Sequence, residues 1–328
     1  MKRNMLCSLV PIVVTLGLSG AIAQTGDLGW RATVRVVDEW ARPVSNANVA
    51  VWYYVQPSAG ETEAHASIQG VTDANGTFTA SNPTNGSIDL GFQASKSGYY
   101  STTRGHEFAK FKNSDPGKRN PQETLLLKTV GKPIPMYAKS ITAEPSAFKK
   151  TGPPPIAFTN SIGYDLKAGD WVSPYGKGAN TDIIFTEEFN KKAISDYDYR
   201  LLISFPSIGD GIQEFKEPQA EKGSALRSPH EVPEDGYLPQ LTRESSTHPG
   251  QPGKSDYDVN RIYFFRVRTV LDANGIVKSA LYGKIYGDPV MMNFRYYLNP
   301  TPNDRNIEFD PNHNLLRDLK SFELVRQP

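Results

Sequence analysis

Apolar and polar side chains alternate along most of this chain. Trp30, Ala32, Val34 and Val36 are separated by Arg31, Thr33 and Arg35. A period of two puts the apolar set on one face, which predicts a half-buried strand. Val49, Val51, Tyr53 and Val55 repeat the pattern with Trp52 and Tyr54 between them. That second strand is apolar on both faces and is expected at the centre of a sheet. Ile88–Ala94 and Glu123–Lys128 predict two more. Further on, Tyr197, Tyr199, Leu201, Ile203 and Phe205 alternate with Asp196, Asp198, Arg200 and Ser204. Arg261–Val270, Ile276–Tyr286 and Met292–Leu298 also read as strands. Short helices are expected only at Glu187–Ile194 and Asn314–Phe322.

Turn residues divide these runs. Asp-Ala-Asn-Gly occurs twice, at Asp73–Gly76 and Asp272–Gly275, each time between apolar runs. Both predict hairpin turns, because Asn-Gly readily takes positive φ. The flanks differ, so this is repeated turn chemistry and not domain duplication. Lys132–Pro155 is rich in proline and cations, and Pro153–Pro155 should be extended and semi-rigid. Pro206–Asn260 has few apolar residues and reads as a long surface excursion.

The predicted class is all-β. An export signal occupies residues 1–23, a first sandwich 29–131 and a Pro-rich linker 132–160. A second, larger β-sandwich or jelly-roll domain follows at 161–328, with a long loop at 206–260.

One segment also carries a family resemblance. Asp38, Pro43, Val44, Ala47 and Val49 form a turn and strand, Thr72, Asp73, Gly76 and Phe78 a second turn, and Lys96, Gly98 and Tyr99 a return. This layout resembles the carboxypeptidase regulatory-like family. The resemblance implies a transthyretin-like seven-stranded sandwich over about a third of the chain, with a loop inserted between Val55 and Ile68. It implies nothing about activity, since such modules serve as folding, spacing or binding units. The second half is similar, more loosely, to uncharacterised secreted bacterial β proteins. The segments behind that likeness include PMYAK, YDLKAGDWVSPYGKG and YYLNPTPNDRNIEFDPNHNL.

Composition narrows the class further. Lys2 and Arg3 precede an apolar run, Met5–Leu18, and a small-residue cleavage site at Ala21–Ala23. The run is shorter than the roughly 20 residues a membrane span needs, so a cleaved signal is expected, with the mature chain starting at Gln24. No transmembrane segment is expected after that cleavage. Cys7, the one cysteine, falls inside the signal. The mature chain would then hold no disulfide, thiolate nucleophile or cysteine-bound zinc. Without Lys2 and Arg3, the 36 cations fall to 34 against 35 acids. A balance near zero gives no field to attract nucleic acid. The expected location is secreted or periplasmic.

Candidate chemistry is sparse. The five histidines form no His-x-x-Glu and no His-Glu-x-x-His, the pattern a zinc peptidase needs. Gln251–Ser255 ends like a phosphate loop, but the required earlier glycine falls at His248. No metal and no cofactor is expected. Paired acids such as Asp196 and Asp198 would share the solvent face of a strand, as solvated charges or a weak Ca²⁺ site. The residues with most chemical interest are aromatics in polar loops: Trp171 and Tyr175 in GDWVSPYGKG, and Tyr237 and Tyr257 in or beside the excursion. Exposed rings beside amides and carboxylates suit the faces of sugars. Trp171 and Tyr175 equally suit the role of a loop anchor. The leading expectation is a non-enzymatic binding or structural protein that recognises an extracellular polysaccharide. Alternatives are a module docking a cell-envelope protein and a glycoside hydrolase whose carboxylates sequence spacing does not place.

Overall fold

A computed structural model describes residues 30–55, 64–82, 90–106, 120–141, 156–218, 221–258, 260–290 and 293–328. The expected export signal at 1–23, Pro153–Pro155 and residues 56–63 of the expected insertion between Val55 and Ile68 lie outside them. The described residues contain strands and turns but no α-helix.

The first sandwich pairs a three-stranded with a four-stranded sheet. Its strands are β1 (Trp30–Asp38), β2 (Asn48–Val55), β3 (Ala64–Val71), β4 (Thr77–Asn82), β5 (Leu90–Ser95), β6 (Thr102–His106) and β7 (Gln122–Leu127). Their order is β4-β1-β7 in one sheet and β3-β2-β5-β6 in the other. β2 is central, as its two apolar faces require. The alternating positions of β1 meet Val49, Val51, Phe92 and Leu125 in a single core.

The two Asp-Ala-Asn-Gly turns share one geometry. Asp73 Oδ1 accepts the N–H groups of Asn75 and Thr77 at 2.9 and 2.8 Å. Asp272 Oδ1 accepts those of Asn274 and Ile276 at 2.8 and 2.9 Å. Positive φ falls on the glycine alone, 71° at Gly76 and 79° at Gly275. Only the second turn closes a hairpin. The first joins β3 to β4, which lie in different sheets, and so carries the chain across the sandwich. The expected hairpin at Asp73–Gly76 is therefore corrected to a crossover.

The C-terminal sandwich is built from β8 (Ile134–Ile141), β9 (Ile156–Asp165), β10 (Asp170–Trp171), β11 (Ile183–Ala193), β12 (Asp196–Ser204) and β13 (Gly211–Phe215). β14 (Gln240–Thr247), β15 (Lys254–Ser255), β16 (Ile262–Leu271), β17 (Val277–Val290), β18 (Asn293–Leu298) and β19 (Phe309–Asn314) complete it. They form two six-stranded sheets, β10-β9-β11-β12-β14-β15 and β13-β16-β17-β18-β8-β19. The core between them joins Tyr164, Phe185, Leu201 and Ile203 to Phe265, Leu281, Ile285 and Tyr296. The far face of the second sheet is buried as well, beneath Val232, Ile307, Phe309 and Val325.

Four expectations are revised. Glu187–Ile194 belongs mostly to β11, where every second residue from Ile183 to Phe189 is buried. Asn314–Phe322 ends β19 and continues as turns. The span 132–160 is not simply a linker: it supplies β8 and the start of β9. Met136 and Ala138 are fully buried there, because β8 lies between β18 and β19. The segment 206–260 also contributes three strands, β13, β14 and β15.

The two sandwiches meet through a polar seam. Thr103 N–H donates to Gly223 O at 2.9 Å, and buried Lys128 pairs with Glu221 at 2.5 Å. At its centre His230 lies between Glu39, at 3.0 Å, and Glu308, at 3.1 Å. Glu308 also accepts the N–H groups of Gly131 and Lys132 and the hydroxyl of Tyr100.

A candidate binding face on the C-terminal sandwich

Alternation along the first six-stranded sheet sends one set of side chains into the core and the other outward. The outward set of β9, β11, β12 and β14 includes Thr159, Glu188, Asn190, Asp198, Arg200 and Glu244, and no aromatic ring among them. Together with Phe189 and Tyr199 they line a trough of about 950 Å³ that continues to Lys254 on the edge strand β15 and to Asp256 just past it. Arg200 is its midpoint. Its guanidinium lies 3.2 Å from Glu188 on β11 and 3.5 Å from Glu244 on β14, a cross-strand ladder over three strands. All three side chains are substantially exposed, so the ladder adds little stability and leaves donors and acceptors facing solvent.

The remaining acids of the trough are engaged. Asp256 accepts the Glu244 N–H at 2.8 Å. Asp198 and Asp196 hold His248 from its two ring nitrogens, at 3.2 and 2.9 Å. The acid pair read as sharing one strand face thus flanks an imidazole. Among the described residues no group of three or more His, Cys, Asp or Glu is arranged to hold a metal ion.

Where β11 and β12 run out, the sandwich opens into a second cavity of about 560 Å³. Phe189, Tyr197, Tyr199 and Tyr257 wall it, with Ile194 at its edge. The rings meet at tilted or edge angles, Phe189–Tyr197 at 6.1 Å and Tyr199–Tyr257 at 6.0 Å between centroids. Behind them Glu187 is fully buried. The Tyr199 hydroxyl lies beside Glu187 and Tyr257. Burial, reinforced by that carboxylate, pushes the Tyr199 phenol far above its ordinary range.

The four aromatics singled out by sequence are not gathered. Trp171 is 8% exposed and stands edge-on to Tyr164 at 4.9 Å, with Phe185 at 5.8 Å. It anchors the 170–178 loop to the core. Tyr175 projects from that loop, about half exposed. Tyr237 donates to Pro233 O at 2.8 Å and lies under the Arg266 guanidinium at 4.9 Å. Tyr257 lines the aromatic cavity. Sequence reasoning missed Phe189 and Glu188 because they fell in an expected helix. It missed Glu244 because β14 was hidden in the excursion. Asp198 and Arg200 were correctly assigned to a solvent-facing side.

No protein-family model matches this chain, and no curated protein sequence matches it.

Proposed function

We propose that this is an exported, non-enzymatic binding protein whose C-terminal sandwich takes a polysaccharide in the trough. The first sandwich, with its carboxypeptidase regulatory-like pattern, serves as the module that carries it. The observation behind this reading is the trough itself. It is an open channel across several strands, floored by carboxylates, an amide, a guanidinium and hydroxyls. That set matches a ligand made of many hydroxyls in a row, each able to donate and accept. Binding is favoured over hydrolysis because the acids are committed: Glu188 and Glu244 to one guanidinium, Asp198 to His248, Asp256 to a backbone N–H. A general acid would need a carboxyl set apart in an apolar setting. Among the described residues no helix is long and apolar enough to cross a membrane.

A glycan array probed with the chain from Gln24 onward tests the reading. At least one polysaccharide should bind, and Arg200→Ala with Asn190→Ala should weaken it about tenfold or more. Both side chains are exposed, so the fold should be unaffected. Absence of any glycan signal, or a signal unchanged in the double variant, would sink the proposal.

A further inference from the structure

The aromatic cavity has a chemistry different from that of the trough beside it. Its walls are four rings, which suit a flat apolar body. Its volume, about 560 Å³, is in the range that holds small organic ligands. Its charged lining is of one sign: Lys191 and Lys254 border it and no carboxylate does. Glu188, Asp198 and Glu244 line the trough on the outward face, and Lys254, opposite Ser246 on the edge strand, stands at the rim the two share. Glu187 is fully buried beside Tyr199 and is not among the residues that line the cavity.

From these observations we propose that the cavity is a second binding site, for a small amphipathic anion with a flat apolar body and a single anionic head. The body packs between Phe189, Tyr197, Tyr199 and Tyr257. The head stays with Lys191 and Lys254. The reverse orientation is unfavourable, because an anion at the base would approach the Glu187–Tyr199 pair without a counter-charge. A cationic ligand meets two lysines and no exposed partner. The site does not rest on the glycan reading, and Arg200→Ala leaves its walls intact.

Three probes of one shape test it on the full chain from Gln24: 2-naphthoate, its methyl ester and 2-naphthylmethylamine, titrated by ligand-observed NMR. The carboxylate should bind at least tenfold more tightly than the ester, and the amine should not bind. Lys191→Met combined with Lys254→Met should bring the acid down to the affinity of the ester, since both lysines are at the rim. Tyr257→Leu should weaken acid and ester together. The proposal is overturned if neither acid nor ester binds, if the ester or the amine binds as well as the acid, or if the double lysine variant keeps the preference. A carboxylate source and a phosphate or sulfate source are separated by repeating the titration with 2-naphthyl phosphate and 2-naphthalenesulfonate.

Discussion

At the scale of single residues, the two Asp-Ala-Asn-Gly glycines make a matched experiment. Both hold positive φ, near 71° and 79°. A side chain at Gly275 would meet nothing within 4 Å, whereas one at Gly76 would stand 2.5 Å from the carbonyl oxygen of Val36. That contact exists because Gly76 O also accepts the Val36 N–H at 2.7 Å, docking the turn on β1. Gly275→Ala should therefore cost only the backbone strain, about 1 kcal/mol. Gly76→Ala adds a backbone collision and should cost roughly 3 kcal/mol or more. Urea unfolding of the two variants measures the difference; equal costs would refute the docking argument.

At the scale of elements, the loop that seemed the best site is an anchored cap. Asp165 is almost fully buried and accepts N–H groups from Lys167, Ala168, Ala179 and Asn180, all within 3.1 Å. Its charge is balanced by Arg268 at 3.0 Å, and these hydrogen bonds and that cation hold its carboxyl below the usual range against the effect of burial. Asp165→Ala should release the loop ends, at a cost of about 3 kcal/mol. Hydrogen exchange should quicken over 166–181 and stay slow in β12 and β16. Uniform quickening would show that the loop is not a separate unit.

Legibility from sequence follows the same division. Strands such as β1, β12 and β18 were plain because every second residue along them is apolar. β11 was misread because Glu187 occupies an inward position and interrupts the apolar series. β14 was invisible because its inward positions after Leu241 are Arg243, Ser245 and Thr247. Arg243 is buried against Asp288 at 3.0 Å, and Ser245 and Thr247 line the aromatic cavity. A strand that borders a cavity does not carry the pattern of a strand that borders a core. The parts of the site that could not be read were hidden for that reason. Trp171 was open to two readings, since composition alone does not distinguish a ring offered to solvent from one turned inward, and its burial against Tyr164 bears out the loop anchor.

At the scale of the whole molecule, one imidazole links the two sandwiches. His230 is held by Glu39 of the first and Glu308 of the second. The hydrogen bond and charge of Glu308, with those of Glu39, raise the His230 pKa above its ordinary value. Glu308 is lowered to about 2 by His230, two backbone N–H groups and Tyr100, which together outweigh burial. The raised histidine contributes stability that is fully present below about pH 6.5 and is lost as pH rises through its folded value. The lowered glutamate contributes stability present above about pH 4.5 and lost as pH falls toward 2. The seam should thus be firmest in mildly acidic solution. His230→Ala should cost about 1–3 kcal/mol there and progressively less at alkaline pH. Calorimetry across that range tests it; a cost independent of pH would contradict the clamp.

The position of β8 sets the order in which the protein can form. This strand follows directly on the first sandwich, yet it pairs with β18, Ala138 opposite Tyr297, and with β19, Ile134 opposite Phe309. More than 150 residues of chain separate those partners. The first sandwich closes on contacts complete by Leu127 and can form early. In the second, β8 has neither of its hydrogen-bonded neighbours until β18 and β19 are available. Closure over such separations is slow, because the loop entropy is lost before the contacts compensate for it. The first sandwich is therefore a folded neighbour on which a late-closing partner assembles, and a cut at residue 161 would remove a strand from the middle of a sheet.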